Sequence, residues 1–163
     1  FVQLTLGNKK MKLSKNFSLK EMTASSTATR LKIINNPKTE HLVNLAVLTN
    51  KILQPVRDKF GVVTVNSGYR SPALNKAVGG STTSQHCNGE AADIECYSIP
   101  NKQLAEWIRD NLDYDQIILE FYDPRDPHSG WIHVSNRIDG NNRNKCLSAV
   151  REGGKLVYKN GFV

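Results

Sequence analysis

Leu42, Leu45, Ala46, Leu48, Ile52, Leu53 and Val56 recur close to a 3.6-residue period, which predicts an amphipathic core helix over residues 39–59. Thr39 stands at its N-cap position, and Pro55 predicts a kink or a closing turn. His41 reads as a solvated or capping residue rather than a ligand. Ahead of this helix, Ser18-Leu19-Lys20-Glu21 is a capping box: Ser18 can cap the third amide and Glu21 can reach back. It predicts a short helix to about Ala24. Residues 25–38, rich in Ser, Thr and Asn and containing Pro37, predict a loop. Gly7-Asn8-Lys9-Lys10 between short alternating runs predicts a small hairpin.

The period then changes. Gly61 opens a strand through Val62-Val63-Thr64-Val65-Asn66. Pro72 suits the first turn of a helix that Gly79-Gly80 ends. Residues 80–90 form a polar loop. Ala91 to Cys96 reads as a strand with Ala91, Asp93 and Glu95 on one face and Ala92, Ile94 and Cys96 on the other. Asn101 caps a helix over Gln103 to Asn111. Asp115 to Phe121 is an apolar strand, and residues 122–130 are a loop with Pro124 and Pro127. Trp131 to Asn136 is a strand with Trp131, His133 and Ser135 on one face. Lys159-Asn160-Gly161 marks a turn near a terminal strand. The sum is an α+β chain, one domain over 1–163. A small antiparallel sheet packs against helices and sets Asp93 beside His133, with a loop bringing His86 over them.

Composition narrows the partners. Of 163 residues, 39% are hydrophobic and 23% charged, which fits a globular chain with a real core. No apolar run approaches the ~20 residues of a membrane span, and Phe1 is not followed by a secretory signal. The net charge of +7 suits a polyanion such as an anionic cell wall. No helix-turn-helix, zinc-finger or aromatic RNA-binding signature directs that charge to nucleic acid. A monomer is the default expectation. Cys87, Cys96 and Cys146 are an odd count without a CxxC, which predicts free thiols. A Cys87–Cys96 bridge stays open as an alternative, as does a nucleophilic Cys87 beside His86.

The chemistry lies in His86, Asp93 and His133. Two imidazoles and a carboxylate are a three-ligand set for zinc; a structural site would use four ligands, usually with cysteines. Three ligands leave a position for water, so the trio predicts hydrolysis. Glu120 ends an apolar strand, an uncomfortable place for a carboxylate unless it faces a polar site. That makes it the favoured general base. His128, five residues before His133, is its rival or a transition-state donor. Arg70 can stabilise an oxyanion or hold a substrate carboxylate bidentately. Ser84 and Gln85 are expected to line the same cleft.

Several strings carry a family likeness: Phe17-Ser18-Leu19-Lys20-Glu21-Met22, Ser67-Gly68-Tyr69-Arg70-Ser71, Leu74 to Gly80, Ser84-Gln85-His86 through Asp93, Gln116 to Glu120, and Trp131-Ile132-His133-Val134-Ser135. In this order they resemble the zinc D-Ala-D-Ala carboxypeptidase family (M15), in the branch common among phage-encoded lytic enzymes. The resemblance implies zinc as cofactor, His86 and His133 at ligand positions and a functional Arg70. It also implies cleavage of peptidoglycan stem peptides or cross-links, by carboxypeptidase or endopeptidase action, at the bacterial wall. The Glu-x-x-His spacing of several relatives is absent, since position 130 is Gly. A binding module that keeps the fold without the chemistry, and a peptidase of ordinary L-peptides, are the alternatives. Loss of a ligand would mark the former.

Overall fold

The computed structural model describes residues 11–163; the hairpin expected around Gly7 lies outside them. The architecture is α+β. Ser18 caps α1 (Leu19–Thr23), its side chain accepting from the Glu21 amide. The next segment departs from the expected loop. Ser25 accepts from the Ala28 amide and starts α2 (Ser26–Leu31), which closes on Lys32 in the left-handed region. Only Ala28 of this helix is buried, so no apolar stripe announced it.

The long core helix forms as α3 (Thr39–Leu48), a π-turn (Thr49–Leu53) and α4 (Gln54–Phe60). The widened turn ends two residues before Pro55, whose ring and missing N–H cannot serve the ordinary bond to the residue-51 carbonyl. Leu45, Leu48, Ile52, Leu53 and Val56 are all fully buried, as their spacing predicts. Lys38, rather than Thr39, is the N-cap, and its backbone N–H donates to His41 Nδ1 at 3.3 Å. His41 is therefore a capping residue that also stacks on Tyr69.

Among the described residues, six strands form one sheet in the order β1-β2-β4-β3-β5-β6: β1 (Val63–Ser67), β2 (Ala91–Cys96), β3 (Gln116–Glu120), β4 (Trp131–Ser135), β5 (Lys145–Glu152) and β6 (Lys155–Asn160). It is larger than expected and mixed, because β3 and β5 run parallel. Nothing in the hydrophobic pattern predicted β5, whose Ser148 and Ala149 are weak strand formers. The available cue was Gly153-Gly154, both at positive φ, turning β5 into β6. Between the strands lie α5 (Pro72–Ala77) and α6 (Asn101–Asn111). Pro100 is the N-cap of α6; Asn101 instead donates from Nδ2 to the carbonyls of Ser129 and Gly130, tying down the loop before β4.

The sheet has two distinct faces. Ala92, Ile94, Ile117, Leu119, Ile132 and Val134 point into the main core with the helices. Their alternates Asp93, Ile118, Glu120, Trp131 and His133 therefore point the other way. Pairing across β2, β4, β3 and β5 puts Asp93, His133, Ile118 and Leu147 in one row. The next row on that face is Trp131, Glu120, Ala149 and Tyr158. Ile118, Leu147 and Ala149 make a small separate apolar cluster there.

Candidate metal centre and cleft

Direct pairing of Asp93 with His133 on β2 and β4 places two of the predicted residues side by side. The third arrives on a 3₁₀ turn, Gln85–Asn88, capped by Ser84 Oγ accepting from the His86 amide. His86 Nε2 lies 3.3 Å and His133 Nδ1 3.1 Å from the same oxygen, Asp93 Oδ1. All three side chains are buried, and their donor atoms fall within 4.8 Å of one another. Among the described residues this is the cluster of His, Cys, Asp and Glu that could hold a metal ion.

The donor set fits a divalent cation. His86 Nδ1 lies 2.7 Å from the Gly68 carbonyl, an obligate acceptor, so Nδ1 carries a proton. The other ring nitrogen, Nε2, faces the Asp93 carboxylate. Two electron-rich atoms at that range need positive charge between or upon them, and a metal ion supplies it. A backbone carbonyl fixing one imidazole nitrogen while the other faces the metal is the usual outer-shell arrangement. Burial opposes ionisation of Asp93, but hydrogen bonds from His133 and His86 outweigh it and hold its carboxyl well below the usual range. The carboxylate is thus ionised and ready to bind a cation.

Arg70 follows β1 and is firmly engaged. Nε donates to Ser67 Oγ at 2.9 Å, Nη1 to Asn75 Oδ1 at 3.4 Å and Nη2 to Asp93 Oδ2 at 3.1 Å. Three of its five N–H groups are committed, so its first role here is to orient Asp93. Two donors remain for the cleft. Asn75, which the sequence reading did not single out, is held by the Ser81 carbonyl and packs under Gly80.

The cleft has a volume of about 510 Å³ and is lined by Arg70, Ser84, Gln85, His86, Asp93, Glu120 and His133, among others. Glu120 faces it from the end of β3, and burial, then the Asp93 charge, raises its pKa above the ordinary 4.5. The backbone around it is constrained. Phe121 has φ +55°, and a Cβ at Gly130 would overlap the Glu120 carbonyl oxygen. The glycine that breaks the Glu-x-x-His spacing is therefore required by close packing on β3.

His128 is not brought to this site. Its loop turns outward through Asp126 and Ser129, and the ring is exposed and stacked on Tyr97. Cys87, Cys96 and Cys146 are free thiols, so the alternative Cys87–Cys96 bridge is not formed.

Gln85 lines the cleft but spends its amide on Asp115, Nε2 donating to Oδ2 at 3.0 Å. Asp115, fully buried, also accepts from the Arg143 backbone amide and from its guanidinium. Burial opposes its ionisation, but these bonds win and lower its pKa below the ordinary 3.8. A depressed carboxylate contributes stability above its unfolded pKa and loses it as pH falls through the folded one. Asp115→Asn should therefore lower Tm at pH 7 by roughly 4–8 °C, from about 2 kcal/mol, and flatten the loss of stability below about pH 4. Thermal melts from pH 2 to 7 check both; an unchanged acid limb would contradict the assignment.

Three metal-ligating side-chain types open to a cleft, with a carboxylate beside them, are the donor arrangement of a catalytic metal site; a structural one would use four. A family model described as Peptidase M15 matches residues 15–135. The chain belongs to the peptidase M15 family, whose members are metallopeptidases and typically zinc-dependent. No curated protein matches the chain.

Proposed function

We propose that this protein is a zinc peptidase that hydrolyses peptidoglycan stem peptides or cross-links, as a D-Ala-D-Ala carboxypeptidase or an L,D- or D,D-endopeptidase of the phage lytic type. The observation that carries this is the buried His86–Asp93–His133 cluster sharing one cleft with Glu120. His86, Asp93 and His133 would hold the metal. Zinc bound there supplies Lewis acidity, acidifying water and polarising a carbonyl. Glu120 takes the proton from the attacking water and returns it to the departing amine, a task its raised pKa suits. Arg70 fixes Asp93, and its two uncommitted N–H groups add positive charge where the oxyanion develops. His128 has no part in this scheme.

The test is zinc content together with hydrolysis of defined stem peptides, with an L-peptide panel as control. One equivalent of zinc and cleavage of stem peptides alone is expected. A metal-free, inactive wild-type protein would move the assignment to a wall-binding module, and cleavage of the L-peptides would broaden the substrate class. The charge of +7 would draw the enzyme to an anionic wall. Lysis of whole walls should accordingly fall several-fold between about 0.05 and 0.5 M salt while cleavage of a small stem peptide barely changes. Equal salt dependence of the two would remove the steering argument.

A further inference from the structure

The family match ends at Ser135, yet the cleft does not. Arg143, Leu147 and Tyr158, all beyond it, also line the cleft. Arg143 precedes β5, with Asn144 in the left-handed region behind it, and its guanidinium lies against Asp115. Nε donates to Asp115 Oδ1 at 3.0 Å and Nη2 to Oδ2 at 2.6 Å. This side-on pairing leaves both Nη1 hydrogens and the outer Nη2 hydrogen without a partner among the described residues. Those atoms are the end-on fork that binds carboxylates bidentately.

The two cleft arginines differ in a way that assigns their tasks. Arg70 has three separate partners and its side chain is 18% exposed; Arg143 has one acidic partner and is 49% exposed. Asp115 is itself fully buried and tied to Gln85, so the guanidinium is held in place before any ligand arrives. Such preorganisation lowers the entropy cost of binding. The apolar floor of Ile118 and Leu147 suits the uncharged body of a peptide, not a free inorganic anion.

We propose that Arg143, positioned by Asp115 and Gln85, is a substrate-carboxylate subsite that makes the enzyme favour stem peptides carrying a free acid over amidated ones. This rests on the stem-peptide reading above and names the group recognised there. Two sources can present the same chemistry: the C-terminal carboxylate, or the α-carboxylate of a D-glutamate within the stem.

The experiment measures binding by calorimetry to the zinc-loaded protein carrying Glu120→Gln, which separates binding from turnover. Three peptides are compared: the free acid, the C-terminal amide and the D-glutamate α-amide. One amide should bind about 10- to 100-fold more weakly than the acid, and that amide names the source. Adding Arg143→Lys, which keeps a cation on Asp115 but lacks the fork, should reduce the penalty to within about threefold. A double change, Asp115→Asn with Arg143→Gln, gives the same readout if the lysine variant does not fold. The subsite is overturned if both amides bind within threefold of the acid, if no peptide binds, or if the penalty survives loss of Arg143. Hydrolysis of the acid peptide by the wild-type protein is assayed in parallel. Preference in binding without hydrolysis overturns the peptidase reading and keeps the subsite; hydrolysis without preference does the reverse.

Discussion

Asp93→Asn is expected to strip the protein of metal and reduce peptide hydrolysis by roughly a thousandfold or more, because a bound cation supplies several kcal/mol of transition-state stabilisation. The expectation follows from where the charge sits. One Asp93 oxygen faces both imidazoles and the other is gripped by Arg70. An asparagine keeps the shape and removes the only negative charge among the three ligands. Two imidazoles beside a guanidinium, with no anionic ligand, are then a poor cation site. The check is metal content after dialysis against micromolar zinc, with circular dichroism to show that the sheet persists. Arg70→Gln makes the useful contrast. It leaves all three ligands and removes only the group that orients one of them, so metal affinity should fall about 10- to 100-fold rather than vanish. If Asp93→Asn kept a full equivalent of zinc, the cluster would not be the metal centre.

The pairing of Asp93 with His133 was legible because strand periodicity is strict. Once residues 91–96 and 131–135 alternate, Asp93 and His133 must share the polar face of adjacent strands, and the register makes them direct partners. His86 was legible by chemistry and by family likeness, though the 3₁₀ turn that presents it was not. His128 shows where proximity in sequence misleads. Five residues from His133, it belongs to a loop whose turn directs it onto Tyr97 instead. Asp115 and Arg143 escaped the reading for a different reason. Their meeting depends on β5 lying parallel to β3, a long-range pairing that no local pattern encodes. The exposed, polar α2 was hidden because its start is a serine cap rather than an apolar stripe. Gly130 read as a departure from a motif, and only the packing shows that β3 leaves no room for a side chain there.

That packing leads to the second large effect. Glu120→Gln should lower kcat by about 10²- to 10⁴-fold while the protein keeps its metal. The side chain is not placed to ligate: it lies one row along the sheet from His133, on the strand next to it. Glutamine fills the same space and cannot accept a proton, so binding and metal content survive while turnover does not. Gly130→Ala tests the same residue through its backbone. A methyl group there meets the Glu120 carbonyl, at a φ of +65° that alanine tolerates poorly, so β3 must shift or the loop must move out. Stability should fall by about 1–3 kcal/mol and kcat by more than that loss of folded protein accounts for, again with zinc retained. Metal content separates these variants from Asp93→Asn. If Glu120→Gln turned over at the wild-type rate, the proton would have to travel by another group. His128 lies outside the cleft, so that result would require its loop to fold inward over the site when substrate binds.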